Sequence, residues 1–269
     1  MSKLKVAVLI SGRGSNLQAL IDAAKAADFP AEIAVVISNN PEAQGLARAA
    51  EAGIPAMICD HTYFKGDKDG FEDALASIVE QSGAGLVCLA GFMRILTPRF
   101  LNKFKDKVIN IHPSLLPAYK GLDTHERVLA AGEKTHGCSV HVVTPAMDEG
   151  AVIAQKQVPV LEGDTADTLA ARVLTQEHVL YPETVAAIAL GHVVIRQGRV
   201  ERAGSLRHHE SAKRESHETT MHHDHHATPV ADAEAVARAQ AMWNVFTKAT
   251  VIAGGAVAVL LILLAALVA

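Results

Sequence analysis

Three stretches of this 269-residue chain carry side chains able to do chemistry. The first is Val108-Ile109-Asn110-Ile111-His112-Pro113-Ser114. Its apolar residues predict a strand, and alternate strand residues share a face, so Asn110 and His112 point the same way. Pro113 cannot donate to a sheet ladder and ends the strand. An amide and an imidazole then stand together at the carboxyl end of a strand, where open α/β sheets bind ligands. An amide N–H stabilises a developing oxyanion, and a histidine gives or takes a proton near neutral pH. The second stretch is the loop 144–150, with Asp148. A carboxylate beside a histidine raises the imidazole's pKa and fixes its ring. An acidic residue close before a glycine is also an ordinary turn former, and sequence alone does not bring Asp148 to His112. The third is Ser11-Gly12-Arg13-Gly14-Ser15-Asn16. Its glycines let backbone approach a ligand, and the free N–H groups of a following helix favour an anion, so Gly12, Arg13, Gly14, Ser15 and Asn16 form a candidate phosphate site. The stretch fits neither the Walker pattern nor the full dinucleotide fingerprint.

These residues need a scaffold, and its periodicities are legible. The run Leu4–Ile10 reads as a buried strand. From Asn16 the apolar residues Leu17, Leu20, Ile21 and Ala24 have helical spacing. A second strand is expected over Ala31–Ser38, then a helix with Pro41 in its first turn running to Ala52. Further strands are expected at 85–90, Val108–His112 and 138–143, and helices at 71–82 and 165–189. Residues 192–201, centred on Gln197-Gly198, predict a closing hairpin. Alternating strands and helices imply an α/β domain with a mostly parallel sheet covered on both faces.

The totals narrow the function. Apolar residues make up 49%, enough for a packed core. A net charge of −4 and only 4% aromatics argue against nucleic-acid binding. Cys59, Cys88 and Cys138 are far apart and have no CxxC partner, which favours reduced thiols in a cytosolic domain over disulfides or zinc. The chain enters its first strand with no signal-peptide layout.

The segments 10–17, 89–96 and 110–117, with Thr175-Gln176-Glu177-His178, follow the order and approximate spacing of phosphoribosylglycinamide formyltransferases. Residues 1–204 resemble that family. The resemblance implies a Rossmann-like fold and transfer of a formyl group from 10-formyltetrahydrofolate to the amine of glycinamide ribonucleotide, without a metal. It implies Asn110, His112 and Asp148 as the catalytic trio, the loop 12–16 as the phosphate site, and Glu177 near the glycinamide portion. Phe92, Met93, Arg94, Ile95 and Leu96, with Asn110 and the loop 144–148, would hold the folate. Lys68 stands where the family often has arginine, as a contact for the folate tail. Ala151 and Val152 stand where the family often has a proline after Asp-x-Gly. Two relatives in chemistry fit less well. A formyltetrahydrofolate deformylase would carry a domain before the first strand, and a methionyl-tRNA formyltransferase a further RNA-binding domain.

The composition changes after residue 204. Residues 205–230 hold seven of the 14 histidines and almost no large apolar side chain, which predicts a flexible linker. Residues 231–269 read as a membrane-anchor segment, whose uncharged run predicts a single transmembrane helix over about 249–268. Trp243 and Phe246 suit the interface, and Arg238 and Lys248 would keep the catalytic domain on the cytoplasmic side of the cytoplasmic membrane. Residues 221–269 resemble the single-span subunit IV of bacterial aa3-type cytochrome c oxidases, which implies a link to a respiratory oxidase. A true fusion and two joined reading frames, with Met221 as a former start, both fit. The run His222-His223-Asp224-His225-His226 could bind a metal, but no metal site is assigned there. A different class of reading makes the chain a membrane-complex subunit whose soluble part is incidental.

Overall fold

The computed structural model describes residues 2–203. The linker 205–230, the anchor 231–269 with its span 249–268, and the oxidase-like segment 221–269 lie outside the described residues. Among the described residues, no helix is long and apolar enough to cross a membrane.

The chain runs β1 (Leu4–Ile10), α1 (Ser15–Ala24), β2 (Ala31–Ser38), α2 (Gly45–Glu51), β3 (Ala56–Ile58), α3 (Lys68–Gln81), β4 (Leu86–Leu89), α4 (Pro98–Lys103) and β5 (Val108–His112). It continues with α5 (Thr124–Ala130), β6 (Thr135–Val142), β7 (Val152–Pro159), α6 (Ala166–Ala189) and the hairpin β8 (Val193–Arg196) and β9 (Arg199–Arg202). The main sheet has the order β3-β2-β1-β4-β5-β6-β7. Its pairs are parallel from β3 to β5, and antiparallel between β5 and β6 and between β6 and β7. From β1 the chain builds outward to β3, then returns to lay β4 on the other side of β1. That reversal opens a crevice at the carboxyl ends of β1 and β4, the place where such sheets bind ligands.

Alternate residues of β1 feed two cores. Val6, Val8 and Ile10 pack with Leu17, Leu20 and Leu180, while Ala7 and Leu9 pack with Leu75, Val79 and Phe100. Helices therefore cover both faces, as the alternation of elements predicted. Each of the Val, Leu, Ile and Phe side chains among these contributes roughly 1.5–3 kcal/mol when fully buried. Tyr181 of α6 is fully buried, and its hydroxyl donates to the carbonyls of Leu89 (2.9 Å) and Ile109 (3.3 Å), tying the long helix to β4 and β5.

The structure corrects several boundaries. The helix expected from Pro41 begins at Gly45. Asn40 accepts the N–H of Glu42 on its side chain and that of Ala43 on its carbonyl, so a side-chain-stabilised turn replaces the first helical turn. β6 starts three residues earlier than expected because it pairs along its length with β7, from Thr135 opposite Pro159 onward. β7 and β3 were not anticipated. β3 is only three residues at a sheet edge. β7 is the opposite edge strand, and its partly exposed polar residues blur the period-two pattern.

Candidate active site

β5 sets two of the candidate catalytic groups. His112 is 6% exposed, and its Nε2 lies 3.0 Å from the carbonyl of Tyr119. A carbonyl only accepts, so Nε2 carries the proton and donates it, leaving Nδ1 as the atom that can gain one. Nδ1 lies 3.5 Å from Asp148 Oδ2. Asp148 thus meets His112, as the sequence resemblance implied and local pattern could not show. Asp148 sits at φ +54°, a left-handed conformation uncommon for an aspartate, and Oδ2 also accepts the N–H of Gly121 at 2.8 Å. The loop is fastened beyond it by Gly150, where a Cβ would fall 1.7 Å from the carbonyl oxygen of Val142, so only glycine fits.

The electrostatics of this pair oppose one another. Burial lowers the His112 pKa and outweighs the raising effects of the Tyr119 carbonyl and Asp148. Burial pushes Asp148 up, but the neighbouring His141, the Gly121 N–H that it accepts and the nearby His112 bring it below its ordinary value. The site therefore holds a carboxylate beside an imidazole biased toward its neutral form. A proton arriving on Nδ1 would complete the ion pair.

The loop after β1 turns on Gly14, at φ +69°, where a Cβ would stand 2.7 Å from Cα of Gly45. α1 then begins at Ser15, and its first N–H groups lack intrahelical acceptors, as in any helix. Gly12 and Arg13 are exposed; their carbonyls accept from Gly45 N–H (3.0 Å) and Arg48 Nε (2.9 Å), which fixes the loop. Asn16 is buried, and its Nδ2 donates to Glu177 Oε2 at 2.6 Å. Burial raises the Glu177 pKa, and Asn16 partly offsets this. Asn16 Oδ1 is buried with no protein partner, as is His178 Nε2. The unpaired Asn16 Oδ1, on the side chain that also holds the buried Glu177 carboxylate, suits a polar ligand.

The segment after β4 divides into two roles. Phe92 and Leu96 are buried in the core beneath α3 and α4, whereas Met93 and Ile95 are each 70% exposed. Phe92 and Leu96 thus anchor the segment by packing, and Met93 and Ile95 are the exposed pair. Ser11 pins the segment to the first loop: its Oγ accepts the Met93 N–H (2.7 Å) and donates to Asn39 Oδ1 (2.5 Å). Beside it lies a cavity of about 180 Å³, lined by His61, Lys65, Lys68 and Arg94 among others. Lys68 and Arg94, far apart in sequence, share this cationic cleft. Among the described residues, no group of three or more His, Cys, Asp or Glu is placed to hold a metal ion.

Comparison with known proteins adds the family. The family described as formyl transferase matches residues 4–185. This chain belongs to the formyl transferase family. The phosphoribosylglycinamide formyltransferase of Escherichia coli (strain K12) is 44% identical over 190 residues, covering 71% of this chain and 89% of that protein. The trifunctional purine biosynthetic protein adenosine-3 of Gallus gallus is 46% identical over 194 residues, or 72% of this chain; the match spans only 19% of that much longer protein. The crystal structure of glycinamide ribonucleotide transformylase 1 from Symbiobacterium toebii superposes with a TM-score of 0.71 at 44% identity, covering 74% of this chain and 94% of that one.

Within this formyl transferase site, sequence reasoning missed His141. Its Nε2 lies 3.1 Å from Asn110 Nδ2 and 3.5 Å from Asp148 Oδ1. The available signal was a histidine inside the apolar run of a strand, which needs a partner when buried. The register of β6 on β5 supplies that partner, with Asn110 opposite His141.

Proposed function

We propose that this chain transfers the formyl group of 10-formyltetrahydrofolate to the amine of glycinamide ribonucleotide, a step of purine synthesis. The observation that carries the reading is the contact of Asp148 with His112 at the end of β5 and with His141, which in turn faces Asn110 on the same strand as His112. The overlap with the Escherichia coli relative, 89% of that protein's length, supports the choice of acceptor.

The amine attacks the formyl carbon, and the carbonyl oxygen becomes an oxyanion. An Asn110 N–H hydrogen-bonds that oxygen. Charge developing beside His112 favours its protonation at Nδ1, where Asp148 stabilises the imidazolium. The C–N bond to the folate then breaks, and the proton lost by the attacking amine is relayed to the departing folate nitrogen. The substrate phosphate rests on the loop 12–16, the glycinamide portion lies near Glu177, and the folate lies along 92–96 with its acidic tail toward Lys68 and Arg94. The test is incubation of the purified full chain with both substrates, following formylated ribonucleotide by mass. Formate released without an amine acceptor would indicate a deformylase instead, and no turnover at all would favour a membrane-complex subunit.

We also propose, from sequence alone, that residues 1–204 form the catalytic unit, 205–230 a linker and 231–269 a membrane anchor. A tryptic peptide covering 215–238, recovered intact from cell membranes, is the expected result. A peptide beginning at Met221 would make the tail a separate protein.

A further inference from the structure

His141 is 2% exposed and has no place in the chemistry described above, yet it touches two of the three reacting groups. Its Nδ1 lies 2.9 Å from the carbonyl of Val142. That carbonyl can only accept, so Nδ1 carries the proton and, in the neutral ring, Nε2 is a bare acceptor. The atom facing Nε2 at 3.1 Å is the Asn110 amide nitrogen. A side-chain amide is nearly symmetric in shape and can be held either way round. With the oxygen toward a neutral Nε2, two lone pairs would oppose each other in a buried site. With the nitrogen there, one N–H is satisfied and the amide keeps a second N–H to give.

We propose that His141 is a positioning residue that selects the amide orientation of Asn110 and so presents an N–H to the oxyanion. The cross-strand register sets the pair, since Asn110 and His141 stand opposite one another on β5 and β6. The Val142 carbonyl fixes the tautomer, the tautomer makes Nε2 an acceptor, and the acceptor chooses the donor. Asp148 Oδ1 lies 3.5 Å from the same nitrogen, beyond ordinary hydrogen-bond range, so the Asn110 amide is the nearer partner of Nε2. The proposal rests on the formyl-transfer reading, in which Asn110 serves the oxyanion.

The experiment is a double-mutant cycle on the full chain with a structural readout beside it. His141→Leu removes the acceptor, and His141→Gln returns an amide oxygen near the Nε2 position. Removing one oxyanion donor commonly costs on the order of 10²–10³ in kcat. His141→Leu is expected to lose at least about tenfold in kcat with little change in either KM, and His141→Gln to recover most of it. In an Asn110→Ala background, His141→Leu is expected to cost less than about threefold, because residues that act as a unit are non-additive. An equal loss in that background overturns the proposal, as does a coupling found with Asp148→Asn instead. The second readout is the trans-hydrogen-bond ¹⁵N–¹⁵N coupling between Asn110 Nδ2 and His141 Nε2, expected in the unsubstituted chain and lost in His141→Leu. Its absence from the unsubstituted chain overturns the proposal whatever the activity. The coupling without formyl transfer would instead overturn the reading of function.

Discussion

At the scale of single residues, the site sets a charge that is ready beside a base that is not yet charged. Burial lowers the His112 pKa, and Asp148 is the anion that opposes this. Asp148→Asn removes that opposition, so the neutral imidazole gains further and protonation at Nδ1 becomes harder. Turnover is expected to fall by about 10²–10⁴, the usual worth of positioned acid–base groups, with the acid limb of the rate profile moved to lower pH. His112→Ala is expected to fall as far with that limb abolished. Steady-state rates across pH check both, and a near-normal rate in either variant removes that residue from the mechanism. His112 and Asn110 were legible as candidates from strand alternation and Pro113 alone. The partner of His112 on its other ring nitrogen was not, because Tyr119 contributes only a backbone carbonyl, which no side-chain pattern marks.

At the scale of elements, two loops and one helix carry the proposed ligand groups, and the first loop is held by a contact that tolerates little change. Gly14 combines a left-handed φ with the close approach of Gly45. Gly14→Ala would force the loop away from α2 and tilt the first N–H groups of α1. The expected outcome is a KM for the ribonucleotide raised by about tenfold or more, with a destabilisation of about 1–3 kcal/mol, from the strain of a side chain at such a position. Kinetics with each substrate varied in turn and a melting curve check this; an unchanged KM would show that the loop does not hold the phosphate. The Gly-rich turn was legible because turn chemistry is local. The division of the segment 92–96 was not. Which of its side chains face the core depends on α3 and α4 lying beneath it, and the run alone is apolar nearly throughout.

For the whole molecule, the buried histidines give stability a definite pH dependence. Burial, with the nearby His125 and His112, lowers the His136 pKa from 6.5 to about 4, and burial lowers His112, His125 and His178 as well. A histidine with a depressed folded-state pKa is neutral in the fold where the unfolded chain has already bound a proton. Its contribution is complete above the unfolded value and is lost as pH falls toward the folded one. For His136 that window runs from about 6.5 to about 4, and the shift corresponds to roughly 3 kcal/mol. The melting temperature is therefore expected to fall between pH 7 and pH 5, with protons taken up on unfolding by calorimetry. A flat profile over that range would show that these histidines are not held neutral. The α/β class and the covering of both sheet faces were legible from the alternation of periodicities. The edge strands β3 and β7 were not, since one is short and the other half solvated.

The sequence by itself determined the α/β alternation of the domain with its central strands and longer helices, the glycine turn after β1, and the placing of Asn110 and His112 on one strand face. These follow from periodicity, turn chemistry and the rigidity of proline, all of which act over a few residues. Tertiary structure decided the rest of the site. It joined Asn16 to Glu177 across 161 residues, set His141 against Asn110 across 31, and brought Asp148 to both histidines. Contacts of that separation depend on the order of strands in the sheet and on the register of β6 against β5, and register is settled by how the whole hydrophobic face is buried.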